Sequence, residues 1–134
     1  LPEAVRQSVP ACLNVCGFVL CFTVFTGLLD ANGLFTLAAH RLSARTGLSS
    51  AEALALMKGL LELGSGVGAL RGLPLSPRSL ALSAFLLGWG GLSVHFQTLA
   101  LLADSNMKSA PHTAGRLTSA CISAALAYGL GLLL

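Results

Sequence analysis

The chain has 134 residues and a formal net charge of +3, with 54% hydrophobic and only 10% charged residues. Soluble domains carry about 25% charged residues, and a water-covered fold of this size needs far more polar surface than this composition supplies. The eight Lys and Arg residues are scattered and form no basic patch, which argues against a nucleic-acid partner.

The four cysteines, Cys12, Cys16, Cys21 and Cys121, form neither a CxxC pair nor a Cys/His zinc spacing. They read as small apolar helix residues rather than a disulfide framework. Mean hydropathy is +0.80. Together these features predict an all-α, polytopic integral membrane protein built as a helical bundle.

The first long apolar segment is Val9 to Leu29, with Asn14 as its one strongly polar side chain. A transmembrane helix over about 4–30 is expected, starting near Pro2 and kinked at Pro10, with Asp30, Asn32 and Gly33 at its far end. An interfacial helix over about 33–45 follows, with Leu34, Leu37, Ala38 and Leu42 on one face and His40 and Arg41 turned to water or headgroups.

Ser49, Ser50, Ala51 and Glu52 form a capping box that opens a run of strong helix formers from Ala51 to Leu63. Those 13 residues make a helix of about 20 Å, too short for ~30 Å of hydrocarbon. The glycine cluster Gly64-Ser65-Gly66-Val67-Gly68 is expected to stop it, and an apolar return closes at Pro74 and Pro77. This is the pattern of a re-entrant hairpin over about 50–75. Irregular backbone of that kind is tolerated at membrane depth only inside protein or beside a wet cavity. Glu62 sits just before the turn. It reads either as an interfacial or packing carboxylate, or as a tip residue that binds a coupling cation or proton or orients neighbouring backbone.

Ser76 and Pro77 signal a new helix start. Leu80 to Leu102 then runs 23 residues without a formal charge. Gly88, Gly90 and Gly91 interrupt it, and His95 and Gln97 put polar groups at a similar depth. A broken transmembrane helix over about 77–102 is the expectation, because glycines weaken a helix and buried polar groups are costly unless they pair or work. Carriers build substrate sites from such breaks. Ala103 to Thr113 reads as a polar connection and about 113–134 as a final transmembrane helix. Arg116 stands in its first turn, able to snorkel, and Ser119, Ser123, Ala124 and Ala127 allow close packing. Arg41, Arg45, Arg71 and Arg78 would share the cytoplasmic side.

Three strings resemble a known family. GLLELGSGV (Gly59–Val67), GWGGLSVHFQTLALLADSNM (Gly88–Met107) and AVRQSVPACLNVCGFVLCFTVF (Ala4–Phe25) are similar to the second half of the sporulation integral membrane protein YlbJ family. That family is grouped with the Gate, or nucleoside-recognition, membrane proteins. The resemblance implies one inverted repeat of a fold like that of concentrative nucleoside transporters. It implies a task in endospore formation, moving dipicolinic acid across the outer forespore membrane. Carried over residue by residue, the substrate site would be Glu62, Gly64, Ser65 and Gly66 at the hairpin tip, with Gly90, Gly91, Ser93, His95 and Gln97 on the broken helix. Phe96 or Trp89 could stack on an aromatic solute. Pro10 departs from the family pattern.

On this reading the partners are the bilayer, a small anionic solute, and an N-terminal half of the same protein or a second copy. The opening Leu1-Pro2-Glu3 suits the interior of a longer chain. No cofactor or metal is implied; the coupling ion, H+ or Na+, stays open. Two other classes are weighed against a carrier. One is a membrane scaffold or assembly protein of the spore envelope, which needs no polar groups at mid-depth. The other is a membrane-embedded hydrolase or transferase, disfavoured because HExxH, GxSxG and close carboxylate pairs are absent.

Overall fold

The structure, a computed structural model, describes residues 2–102 and 109–134. The described residues are all-helical, in the order α1 Pro2–Ala31, α2 Leu34–Thr46, α3 Ser50–Leu61, α4 Leu63–Leu70, α5 Pro77–Trp89, α6 Gly91–Leu102 and α7 Ser109–Gly131.

α1 runs unbroken through Pro10. Proline there removes one backbone bond without ending the helix. The turn to α2 closes at Gly33, whose φ of 70° is left-handed, and Asn32 Nδ2 donates to the Leu28 carbonyl at 2.8 Å.

α3 opens with the expected capping box. The Glu52 amide donates to Ser49 Oγ at 3.2 Å, and the Ser49 amide to Glu52 Oε2 at 2.7 Å. The break that follows is not where the glycines predict it. Only Glu62 leaves the helical conformation, at φ −141°, and the glycine cluster is itself helical as α4. Gly66 serves close approach: α4 folds back on α3 so tightly that a Cβ there would lie 2.6 Å from the Gly59 nitrogen. A helical hairpin with Glu62 at its tip is the result.

The break between α5 and α6 falls at Gly90, as the sequence predicts, with Gly90 and Gly91 at φ 83° and 80°. Such angles suit glycine alone. α5 starts as expected from the Ser76 cap and Pro77. α7 packs antiparallel to α5. A Cβ at Gly88 would stand 2.6 Å from Ala120 Cα, and one at Gly131 would stand 2.7 Å from Pro77 Cα. α7 begins at Ser109, four residues earlier than the sequence suggested, because Pro111 sits in the first turn where no backbone donor is needed. Part of the polar connection expected over 103–113 lies outside the described residues.

α6 packs on α1, where the Phe22 and Phe96 rings lie 5.6 Å apart. Three alanines, Ala53, Ala55 and Ala120, and one larger side chain, Leu86, are fully buried. α1 turns Leu13, Leu20, Val24 and Leu28 outward. Two segments, Ser8–Ala31 and Pro77–Leu102, are long and apolar enough to cross a membrane; α7, the third span expected, is not among them.

The backbone contacts make a paired prediction for melting of the purified protein. Gly88→Val drives a side chain into the Ala120 backbone and should destabilise by about 1–3 kcal/mol. Gly17→Ala, which meets open space within α1, should leave stability unchanged or raise it by about 0.5–1 kcal/mol.

Candidate functional site where two helix breaks meet

The hairpin tip and the α5–α6 elbow touch. A Cβ at Gly91 would lie 3.0 Å from the Leu63 nitrogen, 3.1 Å from the Leu61 carbonyl oxygen and 3.2 Å from Glu62 Cα. Only a residue without a side chain brings the elbow this near. Trp89, the last residue of α5, ties the two breaks together: its Nε1–H donates to the Leu60 carbonyl at 3.1 Å. That carbonyl belongs to the last turn of α3, where helical partners run out.

Glu62 works on the hairpin itself. The Gly64 amide donates to its Oε1 at 2.7 Å, and the Ser65 amide to its Oε2 at 2.6 Å. A buried carboxylate therefore caps α4, favoured by the positive end of the helix. Of the sequence readings for Glu62, orienting the neighbouring backbone matches this geometry. The α4 N-terminus, at the hairpin tip where the resemblance puts substrate-site residues, is capped by the protein's own carboxylate. Gly64 and Ser65 take part through their amides, and Gly66 through its contact with α3.

His95 lies on α6 one turn past the elbow, 6% exposed. Its ring is 4.2 Å from that of Trp89 and tilted by 55°. On its other side stands His112 of α7, 6.1 Å away and nearly perpendicular. Neither His95 nitrogen has a hydrogen-bond partner. Arg116, one helical turn beyond His112, lays its guanidinium against Gly90, where any side chain would collide with it. Its Nε is buried without a partner, and Arg116 joins no ion pair among the described residues. The sequence suggested a snorkelling arginine; the structure instead turns it onto the elbow.

The nine residues singled out from the sequence do not form one cluster. Ser93 is buried at 2% exposure on the first turn of α6. Gln97 faces away from His95, since residues two apart on a helix point about 200° apart. It lies in a small recess with Ala11, Asn14 and Phe18 of α1, and its Nε2 is buried without a partner. The Phe96 ring lies tilted against that of Phe22, and the Trp89 ring tilted against that of His95. His112 and Arg116 were missed as site residues. A signal existed: Arg116 is the one formal charge in α7, and His112 precedes it by four residues on the same face.

The elbow thus gathers a guanidinium and two imidazoles, while both oxygens of the Glu62 carboxylate at the hairpin tip are engaged by amides. No cluster of three metal-ligating side chains occurs among the described residues. Chemically, the site offers hydrogen-bond donors and the Arg116 charge, which no ion pair neutralises among the described residues.

Removing the cap should loosen the tip. Glu62→Ala is expected to destabilise by about 1–3 kcal/mol, read by thermal melting, with Glu62→Gln in between because one amide oxygen can still accept. Equal melting of all three proteins would mean that the carboxylate does not hold the hairpin. No protein-family model, curated protein or solved structure matches the chain.

Proposed function

We propose that this chain is a membrane transporter for a small anionic solute, or one half of such a transporter. One observation carries the reading: Arg116 Nε and both His95 nitrogens are buried without a hydrogen-bond partner among the described residues, where two helix breaks meet. Leaving such groups without partners is costly in a low-dielectric setting. A site that waits for an anion accounts for that cost, because the solute supplies the missing acceptors. A scaffold protein has no use for it.

The composition and the two apolar segments support a bilayer setting. In that setting α3 and α4 form a re-entrant hairpin and α5–α6 a broken spanning helix. Irregular backbone at depth is allowed where other protein covers it, and here tip and elbow cover each other. Trp89 beside His95 offers an aromatic face, suited to a flat aromatic acid. The resemblance to the YlbJ family supplies the specific candidate, dipicolinic acid, and the location, the outer forespore membrane. The complete carrier then requires a second half, from the same protein or a second copy.

Uptake of labelled dipicolinate into vesicles holding the parent protein tests this. Saturable uptake is expected. Arg116→Gln and His95→Ala should each lower it by about tenfold or more, the scale of one lost charge-assisted hydrogen bond. Arg116→Lys, which keeps the charge but not the planar fork, should retain part of it. No uptake above empty vesicles under either a proton or a sodium gradient would favour the scaffold reading.

A further inference from the structure

A groove of about 290 Å³ runs along α5 between α3 and α7, and shares no residue with the elbow cluster. On α5 it is lined by Arg78, Leu82 and Phe85, which recur at helical spacing on one face. α3 supplies Leu56, and α7 supplies Ala124 and Tyr128. From Arg78 to Phe85 the rise of the helix makes it about 10 Å long.

The groove is polar at one end only. Arg78 stands in the first turn of α5, and the contact of Gly131 with Pro77 brings the end of α7, with Tyr128, to the same level. Every other lining side chain is apolar. Leu86 fills the space at Gly59 and Ala120 meets Gly88, so α3 and α7 both close on α5 just beyond Phe85. The Arg78 guanidinium is exposed and donates to the Gly47 carbonyl at 3.2 Å. It has further N–H groups to give, and no carboxylate pairs with it among the described residues.

We infer that this groove holds an anionic phospholipid, with an acyl chain along Leu82 and Phe85 and the headgroup phosphate on Arg78. The inference rests on the bilayer setting proposed above, not on transport. A spanning α5 puts its first turn at headgroup depth, and tyrosine suits the same level. Charge at one end and hydrocarbon along the rest match an amphiphile lying parallel to the helix. Basic residues beside grooves between spanning helices recognise acidic headgroups in this way. A soluble anion gains only the Arg78 end, and an uncharged lipid gains only the groove. Phosphatidylcholine has the phosphate but brings a quaternary ammonium to the guanidinium. An anionic phospholipid is matched at both ends.

Native mass spectrometry of the detergent-purified protein, titrated with phosphatidylglycerol or phosphatidylcholine, tests the inference. Saturable binding of phosphatidylglycerol is expected, with phosphatidylcholine about fivefold weaker or more, the scale of one basic residue at an acidic headgroup. Arg78→Gln should bring the two lipids to equal affinity. Arg71→Gln, at an exposed arginine outside the groove, should leave the preference intact. Ala124→Trp, which fills the groove from α7, should lose both lipids, and melting curves establish that each variant is folded. Flotation of the reconstituted protein with phosphatidylcholine vesicles reads the bilayer setting by itself; failure to float removes that setting and the inference with it. For protein that floats, the inference alone is overturned by equal binding of the two lipids or by equal loss of preference in Arg71→Gln and Arg78→Gln. Unchanged phosphatidylglycerol binding in folded Ala124→Trp, or a dimer of the chain that retains no phosphatidylglycerol, overturns it equally.

Discussion

The Glu62 backbone and the Gly91 backbone meet at the point on which the rest of the fold depends. Glu62 closes the amides that α4 leaves open, so that a single non-helical residue suffices to reverse the chain. The reversal is tight enough to place the tip against an elbow that has no side chain. Each break then covers the other's exposed backbone, and Trp89 adds a hydrogen bond between them. Two helix interruptions that would each be expensive alone become one joint.

Small residues extend the same logic outward. Gly66 lets the two arms of the hairpin touch, Gly59 makes room for Leu86 of α5, and Gly88 with Ala120 lets α7 lie against α5. Close backbone contact of this kind supplies van der Waals packing where a hydrophobic driving force between helices is weak. Because α7 lies so near, His112 and Arg116 reach the elbow. The donor-rich cluster is thus a product of helix packing, and the Glu62 oxygens are occupied by the α4 amides.

Much of this was legible in the chain. The Ser49/Glu52 box and the Ser76-Pro77 start are local signals, and the local signals held. Gly90 and Gly91 marked the elbow correctly because two adjacent glycines with positive φ do not continue a helix. The hairpin break was misplaced by two residues, because the glycine cluster reads as a turn until its tertiary role, close contact with α3, is visible. Glu62 capping its own hairpin was among the possibilities but was not singled out. His95 and Gln97 are near in sequence yet on different faces, which the 3.6-residue period itself foretells. Arg116 was read as an interfacial charge because nothing local shows that α7 passes antiparallel beside Gly90.

The most direct measurement is a carbon–carbon correlation spectrum of the labelled protein in lipid bilayers by solid-state NMR, with Gly91 and Glu62 assigned. Contact between tip and elbow predicts a cross-peak between Gly91 Cα and Glu62 Cα at short mixing times. Resolved signals from both residues with no cross-peak between them would contradict the joint and leave the donor cluster without its frame.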